Sequence, residues 1–243
     1  MLLDAAIRTG GPLAVAARGG LRGGERRRLG LERIDLYQFH WPDYGTGTPV
    51  EESWGTLDAL CHEGKVRWVG VCNFTVDLLG RCEPVRHVDS LQAQLSLLSR
   101  HAREELIPWC RANGTGVVGY SALASGLLTG GFSPERLAVD DWRRRSPAFQ
   151  EPKLSQALAL VDRLRPVAGR LGASVAAIAV APALAVPGVT GAIVGARRPT
   201  QVDDWLAAGD LQLGDEDLAE IERAIQETGA GTEKAPQPPG VSR

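Results

Sequence analysis

Cysteine is scarce: 243 residues hold four, Cys61, Cys72, Cys82 and Cys110, with no CxxC pair among them. With four histidines and no close Cys/His cluster, a structural zinc site is not expected. Neither sign of charge dominates, since 27 basic side chains face 29 acidic ones for a formal net charge of −2. That balance argues against a nucleic-acid or membrane-surface binder, which would show a basic excess or patch. Nor does the start read as a signal peptide, because Met1-Leu2-Leu3-Asp4 puts an acid where a basic region and an apolar run would stand. The thiols are accordingly expected to be reduced, in a cytoplasm.

Long hydrophobic runs are lacking as well. A charge-free stretch of spanning length, Leu171–Ala196, is mostly Ala, Gly and Val and is broken by Pro182 and Pro187-Gly188. A helix followed by a buried strand accounts for it better than a membrane span. Lysine stands only at Lys65, Lys153 and Lys234, so arginine carries the positive charge. Arg26-Arg27-Arg28 and Arg143-Arg144-Arg145 read as solvated faces or loops, given the balanced net charge.

What is present is a recurrence of short apolar runs, each closed by Gly, Pro or polar residues. They are Leu13–Ala17, Ile34–Phe39, Val66–Val71, Ser90–Gln94, Val117–Tyr120 and Ala192–Gly195. Helical patterns lie between and after them, over Val50–Glu63, Val76–Glu83, Arg103–Asn113, Leu154–Leu171 and Ala173–Ala185. Gly64 and Gly114 sit where helix C-caps belong. Asp215-Glu216-Asp217 opens a last helix running to Glu227, acids that suit the positive end of its dipole. Strands alternating with helices predict one α/β domain with a parallel sheet over residues 1–228. The Gly-, Pro- and Thr-containing tail, residues 229–243, reads as disordered.

Parallel α/β folds bind ligands at the carboxyl ends of their strands. Read in order, those ends carry Arg18, His40, Cys72-Asn73, Gln92, Tyr120-Ser121 and Gly195 with Arg197-Arg198. Singly, each has a structural reading: His40 as a packed histidine, Asn73 as a helix cap, Tyr120 as core. As an ordered series on successive strands they predict a ligand site.

The segments that carry this series, Gly30–Asp43, Gly64–Phe74, Gly119–Gly130 and Ile193–Pro199, resemble the aldo-keto reductases, and the likeness extends from about Leu13 to Glu227. The resemblance implies a (β/α)8 barrel of the TIM type, roughly 250 residues when complete. It also implies NADP(H) as cofactor without a Rossmann motif, in keeping with the lack of GxGxxG here. The substrate implied is a small-molecule aldehyde or ketone. By the same resemblance His40 orients the substrate carbonyl, and Asn73 and Gln92 hydrogen-bond the nicotinamide carboxamide. Tyr120 stacks on the nicotinamide ring. Ser121, Leu123, Ser125 and Gly126 face the pyrophosphate, while Gly195, Arg197, Arg198 and Gln201 take the adenosine-phosphate end.

The sequence also departs from the family pattern. The reaction there uses a tyrosine acid, a lysine that lowers its pKa, an aspartate beside the lysine, and the histidine. The Asp…Tyr segment is not found, and Arg18 stands at the lysine position with a wider, permanently charged guanidinium. Tyr44, beyond His40 in the loop at the barrel mouth, is a remote substitute acid; Tyr37 is predicted to point to the opposite face. Cys72 replaces the usual Ser, Leu95 an aromatic, Trp205 an Asn near the adenine, and Pro182 an aromatic in a helix, where it invites a kink. Strands one and two of the barrel are not found, leaving about six of eight staves, a truncated barrel. Open edges are then expected near Leu13–Ala17 and Ala192–Gly195, and with them a homo-oligomer. Two functions follow: an NADP(H)-dependent reductase by ancestry with impaired catalysis, or a non-catalytic NADP(H)-binding or interaction protein, a pseudoenzyme on the same scaffold.

Overall fold

The computed structural model describes residues 3–8, 30–43 and 47–231. Its strands are β1 (Leu3–Arg8), β2 (Ile34–Phe39), β3 (Val66–Cys72), β4 (Ser90–Gln94), β5 (Gly116–Tyr120) and β6 (Val189–Ala196). They form one sheet in the order β1-β6-β5-β4-β3-β2. Neighbours from β2 to β6 run parallel, and parallel neighbours require a crossover connection. The helices supply it: α1 (Val50–His62), α2 (Val76–Cys82), α3 (Leu106–Asn113), then α4 (Lys153–Leu171) with α5 (Val175–Leu184). Two more follow the last strand, α6 (Thr200–Leu206) and α7 (Asp215–Thr228).

The five parallel strands curl into an open half-barrel, the incomplete barrel expected from a chain in which strands one and two are not found. The sixth strand corrects the expectation. Residues 13–17 lie outside the described residues, and β1 instead pairs antiparallel with β6, from Leu3 opposite Ala196 to Arg8 opposite Gly191. The edge expected at Ala192–Gly195 is therefore paired, and Ala192 and Val194 are buried under helices. Leu-Asp-Ala-Ala-Ile-Arg gives no alternating pattern, and alanine is a weak strand former, so nothing local announced β1. Arg26–Arg28 and residues 232–243 of the expected tail also lie outside the described residues.

Helix α1 buries Val50, Trp54 and Leu57, one stripe at helical spacing. Trp54 is fully buried, and its indole Nε1 donates to Arg86 O at 2.8 Å, the partner a buried indole needs. Gly64 (φ 70°) and Gly114 (φ 77°) close α1 and α3 in the left-handed region, as their positions predicted. Helix α5 has no polar face, and seven of its ten residues are buried. A helix apolar all round belongs in a core, and the charge-free run accordingly divides into α5 and β6. Pro182 stands in the last turns of α5, which continues through it to Leu184. Among the described residues no single helix is long and apolar enough to cross a membrane; α4 and α5 pass that test only as a pair bent by 91°.

The other edge of the sheet is β2, which among the described residues pairs only with β3. Around it Leu31, Trp41 and Trp68 are 38%, 45% and 47% exposed. An unpaired edge flanked by apolar side chains favours association. The chain is expected to self-associate in size-exclusion chromatography with light scattering, and Trp41→Ser with Trp68→Thr to shift it toward monomer. A wild-type chain that stays monomeric as its concentration is raised contradicts this.

Candidate functional site

The helix-packed cluster contains Val69, Val71, Leu91, Ala93 and Val117. Side chains alternate along a strand, so Gly70, Cys72, Ser90, Gln92 and Val118 face the hollow of the half-barrel. At its carboxyl rim three strand ends are joined by side-chain bonds. Tyr120 Oη donates to Asn73 Oδ1 at 2.8 Å, and Asn73 Nδ2 donates to the carbonyl of His40 at 2.9 Å. The Asn73 backbone N–H reaches Gln92 O at 3.3 Å, and Gln92 Nε2 donates to Gln38 Oε1 at 3.0 Å. His40, Asn73, Gln92 and Tyr120, four residues that the resemblance nominates, are thus brought together. His40 itself is exposed, its ring edge-on to Trp41 with centroids 5.9 Å apart. Arg18 and Tyr44 lie outside the described residues. Tyr37 is in the helix-packed cluster, facing away from the hollow as predicted.

Past β5 the chain makes a tight turn. Ser121 (φ 60°), Ala124 (φ 47°) and Ser125 (φ 54°) adopt left-handed backbone, which costs a non-glycine residue about 1–2 kcal/mol. Leu123 is buried in the core, so it offers the rim only its backbone. Ser125 is exposed, and its carbonyl accepts from Arg143 Nη1 at 3.2 Å. Arg143 also binds Asp141 through Nε and Nη2, at 3.0 and 2.7 Å. The Arg143-Arg144-Arg145 run lies in the loop that follows, where Arg143 clamps the turn and Arg144 donates to the carbonyls of Leu137 and Ala138. Arg143 is the site-adjacent residue that sequence reasoning missed, because its partners lie in an irregular loop with no periodicity to read.

Beyond β6, Gly195, Arg197 and Arg198 are exposed. Gln201 turns its side chain back on this segment, Oε1 accepting from the N–H groups of Arg197 (2.8 Å) and Arg198 (3.1 Å). Both guanidinium groups lie outside any ion pair among the described residues. Trp205, which stands where the family has an Asn near the adenine, is buried in the core among α5, α7 and β6.

Burial raises the Tyr120 phenol above its usual value, and the neighbouring Cys72 adds to the shift. Tyr120 is thus a firm hydrogen-bond donor at neutral pH and a poor acid. Burial also pushes the Cys72, Cys82 and Cys110 thiols up to about 12, so they are protonated and unreactive. Among the described residues no group of three His, Cys, Asp or Glu is placed to hold a metal ion. Asp141 moves the other way, to about 2, first through the hydrogen bonds from the Arg143 side chain and backbone, with the charge of Arg197 also lowering it.

The sequence profile of the aldo/keto reductase family matches residues 25–226. Aldo-keto reductase YhdN of Bacillus subtilis (strain 168) is 33% identical over 204 residues, covering 83% of this chain and 61% of that protein. Probable aldo-keto reductase 1 of Glycine max is 31% identical over 199 residues, covering 82% and 57% respectively. The NADH-specific methylglyoxal reductase of Escherichia coli (strain K12) is 31% identical over 204 residues, covering 82% and 62%. The solved structure of the glycerol dehydrogenase AKR11B4 from Gluconobacter oxydans matches with a TM-score of 0.79 at 32% identity, over 91% of this chain and 66% of that one. The chain spans about three fifths of the length of the curated relatives it matches.

The Arg143 clamp makes a pH prediction. A depressed carboxylate contributes stability above its ordinary pKa and loses it as pH falls through the folded value. The Asp141–Arg143 contact should therefore persist at neutral pH and fade near about 2. The Asp141 carboxyl carbon, followed by NMR, is expected to titrate at about 2 in the wild-type chain. In Arg143→Ala it should return toward the ordinary carboxylate range. Ordinary titration in the wild type shows that the clamp does not form.

Proposed function

The chain belongs to the aldo/keto reductase family, and from that premise we propose that it is an oxidoreductase by descent. In this reading it grips NADP(H) and presents an aldehyde or ketone at His40, but delivers the proton poorly. The carrying observation is the bonded unit of Tyr120, Asn73 and His40 beside Gln92. A carboxamide needs a donor and an acceptor together, and the Asn73 and Gln92 amides offer both. The Tyr120 ring, held by its hydroxyl, gives a face for a nicotinamide ring to stack on. The turn of Ser121, Leu123, Ser125 and Gly126, clamped by Arg143, presents backbone groups to a pyrophosphate. Gly195, Arg197 and Arg198, with Gln201 ordering their backbone, fit a terminal phosphate.

When bound, the cofactor supplies the hydride. The chain's own part is to hold the carbonyl carbon near it and polarise the oxygen through His40. The remaining need is a proton for that oxygen. Three tyrosines exist: Tyr37 faces the helices, Tyr120 is raised and bonded to Asn73, and Tyr44 lies outside the described residues. This shortage favours a second reading, a non-catalytic NADP(H)-binding or interaction protein on the same scaffold.

Family membership alone leaves the cofactor's phosphate open, since one relative is described as NADH-specific. Arg197 and Arg198 argue for NADP(H): a charge-assisted contact contributes about 1.5–3 kcal/mol, or roughly one to two decades in affinity. Titration followed by tryptophan fluorescence should show NADP+ binding that much more tightly than NAD+, and Arg197→Ala with Arg198→Ala should erase the difference. Equal affinities in the wild type contradict the claim.

Loss of a general acid slows a reaction roughly 10²–10⁴-fold. NADPH oxidation over a panel of aldehydes is expected to fall that far below family-like turnover, and Arg18→Lys should not restore it. Brisk reduction that disappears in Tyr44→Phe overturns this and identifies the substitute acid.

A further inference from the structure

The rim unit leaves one polar side chain unaccounted for. Gln38, on β2, is placed opposite Gly70 of β3, which is opposite Ser90 of β4. Gln92 lies two residues farther along β4, nearer the rim, opposite Cys72. From this lower level Gln38 reaches across β3 to β4, accepting from Gln92 Nε2 at 3.0 Å and donating from its own Nε2 to Ser90 Oγ at 3.4 Å. The crossing depends on Gly70. A Cβ there would stand 2.6 Å from the Ser90 carbonyl, 3.0 Å from Ser90 Cβ and 3.2 Å from Gln38 Nε2. Any other residue would close the lane that the Gln38 amide occupies.

We infer that Gln38 is a positioning residue that fixes which end of the Gln92 amide faces the rim, and so makes the site selective for a carboxamide over a carboxylate. The inference rests on the cofactor reading above. With one Nε2 hydrogen of Gln92 held by Gln38 below it, the amide oxygen is the end left toward the rim to accept from a ligand. Asn73 completes the pair: one Nδ2 hydrogen is held by the His40 carbonyl and Oδ1 accepts from Tyr120, which leaves its second Nδ2 hydrogen to donate. A ligand carboxamide can meet one acceptor and one donor. A carboxylate has acceptors only, and sets an oxygen against the Gln92 oxygen. Without Gln38 the Gln92 amide is free to turn over, and the selectivity disappears.

The test compares three probes on the full chain by calorimetry: NADP+, its analogue with nicotinic acid in place of nicotinamide, and 2′-phospho-ADP-ribose, which lacks the ring. The wild type is expected to prefer NADP+ over the carboxylate analogue by about tenfold, the worth of one oriented hydrogen bond. Gln38→Leu should reduce that preference to about twofold or less while leaving 2′-phospho-ADP-ribose binding unchanged. Gln38→Glu keeps an acceptor for Gln92 Nε2 and should restore NADP+ affinity. Ser90→Ala, which removes only the hydroxyl behind Gln38, should shift the preference in the same direction by less, and serves if Gln38→Leu does not fold. An unchanged preference in Gln38→Leu and Ser90→Ala, or a wild type that binds both dinucleotides equally, overturns the inference and leaves the cofactor reading standing. A wild type that binds none of the three probes overturns both.

Discussion

The helices sealing one face of the parallel sheet are the constraint from which the site follows. Val69, Val71, Leu91, Ala93 and Val117 are buried beneath helices, as are Ala192, Val194 and Ala196 at the β6 end. Because strand side chains alternate strictly, a slip of one residue would put Gln92 into that seal and Leu91 into the hollow. Apolar burial therefore sets the register of the parallel strands. The register in turn sets which residues arrive at the carboxyl rim, and at what height Gln38, Gly70 and Ser90 line up across the sheet. None of the rim residues needs to contribute much to stability for this to hold.

The rim itself is held in backbone that a chain avoids when unconstrained. Among the described residues, Asn73, Ser121, Ala124 and Ser125 are the non-glycine positions with left-handed φ, and all four follow strand ends at this one rim. Each is anchored by a bond to a neighbour. Asn73 is bonded through both ends of its amide, Ala124 N–H donates to Ser121 O at 2.8 Å, and the Ser125 carbonyl accepts from Arg143. Strain of this kind persists only where surrounding contacts over-determine it, and it gathers where a ligand is met.

Much of this was legible in the sequence, for reasons that also explain what was not. Ile34–Phe39, Val66–Cys72 and Gly116–Tyr120 are short apolar runs between turn residues, and local pattern is enough to find them. His40, Asn73, Gln92 and Tyr120 follow from strand ends alone, because a parallel sheet collects those ends at one rim. Strand β1 was invisible: its residues are weak strand formers, and its partner β6 is nearly two hundred residues away in the chain. The Arg143 run reads as a solvated face or loop, and only the fold of that loop brings Asp141 and Ser125 to Arg143. Gln38 carried no signal of its own, since its role exists only across a strand that happens to offer a glycine.

In the proposed reading, gripping a cofactor and moving a proton are separable tasks. A phenol becomes a useful acid near neutral pH only when a cation lies close enough to stabilise its anion. The cations that the described rim supplies stand after β5 and β6: Arg143 is committed to Asp141 and the Ser125 carbonyl, and Arg197 and Arg198 follow β6. At the opposite end, Tyr120 is buried and its proton is held by Asn73, so its pKa rises where an acid needs it to fall. Relocating charge to Tyr120 would break the bond that positions Asn73, and with it the donor that a carboxamide requires. In the proposed reading Tyr120 therefore serves binding rather than proton delivery, and the proton would come from another group.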